Sequence, residues 1–235
     1  MIFNVKKQGL KHKARLVVSG HVVDSTEHTT YSSTIKYVSV RLMLLIDVNN
    51  GLGIMAVDIG NTLYTAPCDQ NTWSCCGAEF GPRCGAVVVL KRALYGLNTA
   101  SNSFHNYFGY VLRDLVFSPS RADQDLCTIK SYDYEGNNYL VTHMDDVIID
   151  AKNTSKYMHK IAMYFRVRDI TDSTKYYLGN ELVQVGNHIH FSSNKYVNEI
   201  LCKYQKTHGE PKKYILPMRD NEHPELDDSP FLNEK

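Results

Sequence analysis

Apolar side chains recur at helical spacing most clearly after residue 100. Phe104, Tyr107, Phe108, Val111, Leu112, Leu115 and Val116 fall on one stripe, which predicts an amphipathic helix capped by Ser101 and packed as scaffold. Upstream, Ile35 to Val48 reads as a largely buried helix closed by Asn49-Asn50-Gly51. Lys13 to Ser19 and Ile54 to Ile59 read as strands. Beyond the central helix, Leu126 to Tyr132, Tyr139 to His143 and Val147 to Asp150 are separated by turn-forming residues. That order predicts a three-stranded antiparallel meander. A helix from Ser155 to Arg168, capped by Thr154, would cover the sheet with Ile161, Tyr164 and Phe165. Gly186-Asn187 between alternating runs marks a hairpin, and Asn194 opens a helix with Val197, Ile200, Leu201 and Tyr204 on one face.

Composition bounds the picture. With 235 residues and 43% hydrophobic content, the chain can bury a core as one domain with subdomains. No run of about 18 apolar residues exists, and the basic start lacks the apolar segment of a signal peptide, so an intracellular protein is expected. The six cysteines include no CxxC pair, and the four from Cys68 to Cys84 fit no common zinc spacing. The net charge of +1 hides an asymmetry: Lys6, Lys7, Lys11, Lys13 and Arg15 precede any acid. Such an end could face phosphates or be a solvated terminus. From about residue 216 the chain turns acidic, with Pro217, Pro224 and Pro230 interspersed, and reads as a tail or linker after a domain spanning 1–215.

The sharpest chemical signal is Asp145-Asp146 between two apolar runs. Adjacent carboxylates repel each other, cannot pack into a core, and call for a cation, usually a divalent metal. Asp58, at the end of its own apolar run, is a third carboxylate that could join them. Three carboxylates on two strands could hold a metal pair, the chemistry of phosphoryl transfer. Taken singly, Asp58 could be a strand-end cap and Asp145-Asp146 an ordinary solvated turn.

Several ordered motifs carry a family resemblance. Leu90-Lys-Arg-Ala-Leu-Tyr-Gly-Leu97, the Asp-Asp hairpin, Tyr176-Tyr-Leu-Gly-Asn-Glu-Leu182 and Ser193-Asn-Lys-Tyr-Val-Asn-Glu-Ile-Leu201 resemble, in order and spacing, the Ty1/copia-type reverse transcriptase of LTR retrotransposons. Ala56-Val-Asp58-Ile with Thr65-Ala-Pro67 resembles that family's first catalytic motif. The resemblance implies an α+β polymerase right hand: fingers from 1 to about 50, an antiparallel palm sheet with helices on one face, and the start of a thumb after about 190. It implies an RNA-directed DNA polymerase with two Mg²⁺ ions held by Asp58, Asp145 and Asp146. It also implies dNTP contacts from Lys13, Arg15, Leu63, Tyr64 and Thr99. Template and primer contacts would come from Tyr95, Gly96 and Leu97 and from the hairpin at Tyr177, Leu178 and Gly179. The partners would be a primed RNA or DNA template and dNTPs, with no membrane.

The chain departs from the family pattern at particular positions. His143 stands where tyrosine is usual, Asn98 where lysine is usual, and Leu63 where the family has a Phe or Tyr that blocks the ribose 2′-hydroxyl. Weak discrimination against ribonucleotides is expected unless Tyr64 takes that place. Met1 lies inside what resembles the fingers, and no RNase H region follows, as expected of a truncated copy. Two functions of different class stay open: an active polymerase, or a non-catalytic remnant that keeps the fold and some nucleic-acid binding.

Overall fold

The computed structural model describes residues 2–3, 6–8, 11–13, 16–20, 29–68, 70–171, 176–186 and 188–211; for 2–13, 169, 171 and 176 it describes the backbone only. The chain divides into two compact units, 1–192 and 193–235.

The first unit opens with short strands β1 (Ile2–Phe3), β2 (Lys6–Gln8), β3 (Lys11–Lys13) and β4 (Leu16–Val17), followed by helix α1 (Tyr37–Asn50) and strand β5 (Gly53–Ile59). Gly51 ends α1 in the left-handed region at φ 55°, where the absence of a Cβ makes the turn cheap. A short helix, α2 (Thr62–Thr65), leads to the hairpin of β6 (Trp73–Cys75) and β7 (Val87–Val89), which the hydrophobic pattern had not signalled. Then come α3 (Ala100–Asp114), β8 (Ser118–Pro119), β9 (Leu126–Lys130), β10 (Asn137–His143), β11 (Asp146–Ala151), α4 (Thr154–Ala162) and β12 (Val167–Thr171). β13 (Tyr176–Tyr177), β14 (Asn180–Val185) and β15 (His188–Ser192) form a separate three-stranded sheet.

The main sheet runs β12-β5-β11-β10-β9-β8, antiparallel throughout. The expected meander is its β9-β10-β11 part. Because side chains alternate along a strand, the sheet has two distinct faces. Met55, Val57 and Ile59 of β5 and Val147, Ile149 and Ala151 of β11 meet Phe104, Phe108, Val111 and Leu112 of α3 and Tyr157 and Ile161 of α4. Ile148 of β11 and Val141 of β10 face the other way, toward Val40, Met43 and Leu44 of α1 and Tyr177 and Leu182 of the small sheet.

Several expectations change. Helices do not lie on one face alone, since α1 packs on the face opposite α3 and α4. α1 is one-sided rather than largely buried, because Val38, Leu42 and Leu45 are exposed. α3 begins at Ala100 with Thr99 at its N-cap, and Ser101 lies within the first turn. α4 is capped by Asn153, whose side chain accepts from the Lys156 N–H, rather than by Thr154. It ends at Ala162, leaving Tyr164 exposed, because the chain must extend to add β12 beside β5. The second unit contains helix α5 (Asn194–His208); the acidic stretch from 216 lies outside the described residues.

Candidate active site

The geometry of the carboxylates follows from strand register. β10 and β11 form a hairpin through Met144 and Asp145, with His143 opposite Asp146. Met144 has φ 57°, and a positive φ at the first loop position alone is the mark of a tight type II′ connection. β5 joins β11 with Asp58 opposite Asp146. The Ile59 N–H donates to the Asp145 carbonyl at 2.8 Å, so Ile59 and Asp145 are the bonded pair. The adjacent Asp58 and Asp146 then face each other without mutual backbone bonds, the arrangement that sets Cα atoms about 4.5 Å apart and side chains closest.

On its other side Asp58 lies opposite Arg168 of β12. One row therefore crosses four strands on one face: His143, Asp146, Asp58, Arg168. Two carboxylates sit between two basic side chains. Sequence reading missed Arg168 because its segment had been assigned to a helix, and pairing with Asp58 is visible only once β12 exists. Arg168 donates to Asn61 Oδ1 at 3.3 Å and passes over Gly60, where a Cβ would lie 2.3 Å from its Nε. The absence of a Cβ at Gly60 leaves room for this side chain.

Electrostatics reflect the crowding. Burial first, then the charges of Asp145 and Asp58, push the Asp146 carboxyl above its ordinary range, while His143 opposes the shift. His143 Nδ1 is buried and has no hydrogen-bond partner among the described residues. Among those residues no three carboxylate, histidine or cysteine side chains converge as a ready-made metal cage.

The remaining sequence-predicted residues fall into three groups. Leu63 is buried in the main core, whereas the half-buried Tyr64 meets Tyr95 edge-on with ring centroids 5.7 Å apart. Thr99 and Leu97 are buried too, so their side chains serve packing. Gly96, at φ 96°, lets Tyr95-Gly96 approach β4: a Cβ there would sit 1.9 Å from the Val18 carbonyl oxygen. The Val18 N–H donates to the Tyr95 carbonyl at 2.8 Å.

Leu178 and Gly179, with φ 50° and 73°, make the two-residue turn between β13 and β14, braced by the Tyr37 hydroxyl donating to the Leu178 carbonyl at 3.0 Å. Tyr177 is buried beneath it, and burial, then the Asp146 and Asp125 charges, push its phenol upward. Lys13 lies in β3, where only the backbone is described, and Arg15 lies outside the described residues.

Comparison with known proteins identifies the family. The profile of the family described as reverse transcriptase (RNA-dependent DNA polymerase) matches residues 1–219. The retrovirus-related Pol polyprotein from transposon RE1 of Arabidopsis thaliana is 24% identical over 212 residues. That from transposon RE2 of the same plant is 25% identical over 212 residues. Each alignment covers 86% of this chain and 14% of the relative, so the chain spans a small part of the polyproteins it matches. With an antiparallel sheet that sets Asp58 against Asp146 and a profile match over nearly the whole sequence, the chain belongs to the reverse transcriptase (RNA-dependent DNA polymerase) family, in its copia-type retrotransposon branch.

Proposed function

We propose that this chain is the fingers, palm and start of the thumb of an RNA-directed DNA polymerase, extending a primer 3′-hydroxyl with dNTPs. The observation that carries the reading is the direct cross-strand pairing of Asp58 with Asp146, beside the turn that holds Asp145. The donor set fits Mg²⁺: all three side chains offer hard oxygens, and after burial the Asp145 and Asp58 charges add to the upward push on Asp146, a repulsion that a cation would relieve. Asp58, Asp145 and Asp146 would hold two such ions. When bound, such ions supply activation of the 3′-hydroxyl and neutralisation of charge on the leaving pyrophosphate.

The chain's own residues do the positioning. His143 and Arg168 bound the carboxylate row and limit its repulsion. Tyr64, held by Tyr95, stands where a flat ring can exclude a ribose 2′-hydroxyl, a task the inward-turned Leu63 leaves open. The tight turn at Leu178-Gly179, above Tyr177, is the surface for the primer. Tyr95-Gly96 would present backbone to the template, with Leu97 and Thr99 anchoring that segment. Lys13 and Arg15 would neutralise the triphosphate. The test is primer extension on an RNA template with a DNA primer, Mg²⁺ and dNTPs. Extension that falls to background in Asp145→Asn, with the circular dichroism spectrum unchanged, is expected. No extension by the unmodified, folded chain would overturn the catalytic reading and leave a nucleic-acid-binding remnant.

A further inference from the structure

Away from the carboxylate row, α3 and the segment from Phe117 to Asp125 enclose a cavity of about 450 Å³, within the size range of small-molecule sites. Its α3 wall is one helical stripe, His105, Gly109, Leu112 and Arg113. Gly109 is the odd member. Glycine in a helix interior is destabilising relative to alanine, and here no crowding demands it: a Cβ would find only the Arg113 Nη1, at an ordinary 3.5 Å. What the missing side chain provides is open space in the wall of the cavity.

The polar groups around that space are unbalanced. Arg113 and Arg121 are exposed and line the cavity, and neither forms an ion pair with another described residue; His105 instead meets Asp125 at 2.7 Å. Gln124 and Asn106 add amide groups. The one carboxylate lining the cavity, Asp125, is engaged through Oδ1 by His105 and by Thr142 Oγ1 at 3.4 Å, while its Oδ2 is buried without a hydrogen-bond partner among the described residues. Burial opposes ionisation of Asp125, yet the hydrogen bonds of His105 and Ser33 hold its carboxyl below the ordinary range. Ser33 Oγ lies 3.0 Å from His105 Nε2, the same nitrogen that meets Asp125. The trio is thus a braced hydrogen-bond cluster, since a nucleophile relay needs serine and aspartate on opposite ring nitrogens. Free donor capacity remains at the rim, and Phe108, Phe117 and Pro119 supply apolar wall.

We propose that this cavity binds a small ring-bearing anion, with the ring against Phe108, Phe117 and the open face of Gly109 and the anionic group between Arg113 and Arg121. An aromatic carboxylate and a nucleoside monophosphate share this chemistry, so the experiment carries both. The full chain is titrated by calorimetry with 1-naphthoate and, separately, with AMP, in EDTA so that no divalent ion recruits nucleotide to the carboxylate row. Inorganic phosphate and 1-naphthalenemethanol are the anion-only and ring-only controls.

Saturable binding of at least one ring-bearing anion, with a Kd of about 1 mM or tighter, is expected, with both controls weaker. Arg113→Gln with Arg121→Gln weakens it at least tenfold, as does Gly109→Val, which fills the wall. Gly109→Ala reports folding, since it should raise the melting temperature while weakening binding less than Gly109→Val. Asp145→Asn leaves the binding unchanged. No saturable binding of either ring-bearing anion overturns the proposal, as does binding that survives both Gly109→Val and the arginine pair.

Discussion

Asp150→Asn should make the protein more stable at neutral and alkaline pH, although it removes a native side chain from the centre of the fold. Asp150 of β11 and Asp47 of α1 are 0% and 1% exposed, and neither carboxyl oxygen of Asp150 has a hydrogen-bond partner among the described residues. Burial first, then the neighbouring Asp47 carboxyl, pushes Asp150 up to about 9. Asp47 is raised by burial too, but Asp150 and the Lys152 charge work against the shift. Asp150 is therefore the partner that holds a proton.

In the unfolded chain a free aspartate loses its proton near pH 3.9. Between there and about 9 the native state holds a proton that the unfolded state has released. Stability is thus fully present below pH 4 and falls as pH rises toward 9, by about 1.4 kcal/mol per pH unit for one proton. Asparagine keeps the volume beside Asp47 but has no proton to lose. Between pH 6 and 8 the variant should gain about 3 kcal/mol on its parent. The assay is urea unfolding followed by circular dichroism at several pH values in EDTA, comparing midpoints at constant m. Asp146 contributes its own slope to both proteins and cancels. Parallel stability–pH curves for parent and variant would refute the buried proton on Asp150.

Three further substitutions separate packing from selectivity and test a backbone approach. Tyr64→Ala should raise ribonucleotide use relative to dNTPs by about tenfold, the size of one steric contact, in single-nucleotide extension. Leu63→Ala should instead cost about 2–5 kcal/mol of stability and leave selectivity alone; the reverse pattern would return the gate to Leu63. Gly96→Ala should destabilise by at least about 1–3 kcal/mol, because a Cβ would meet the Val18 carbonyl as well as an unfavourable φ; an unchanged urea midpoint would mean that the Val18–Tyr95 contact is not held in solution.

Much of the fold could be read from the sequence where one face of an element carries the signal. The stripe from Phe104 to Leu112 and the runs on either side of Asp145-Asp146 became α3, β10 and β11, since burial on one face imposes its period on the residues. Where both faces are covered, or where a partner strand decides, the pattern was silent. Arg166 to Thr171 has the composition of a helix end, yet its backbone completes the sheet beside β5. α1 misled in the opposite way, because its exposed Val38, Leu42 and Leu45 look no different in sequence from its buried Val40 and Leu44.

The site was legible in its chemistry and illegible in its neighbours. Two adjacent aspartates in an apolar setting announce a demand for positive charge wherever they lie, so Asp145 and Asp146 stood out without any fold. The pairing with Asp58 needs the register of β5 against β11, and a shift of one residue would put Asp58 on the α3 face. That register is fixed from outside the site. Met55, Val57 and Ile59 must face one core, and Ile148 must face the other, so the apolar residues of β5 and β11 leave the carboxylates one shared face. Arg168 follows from the same constraint. Once β12 pairs with β5, the residue opposite Asp58 must share its face, and Gly60, without a Cβ, leaves room for the Arg168 side chain beside it. The row His143, Asp146, Asp58, Arg168 is thus set by core packing rather than by attraction among its own members, which is why it can hold like charges together.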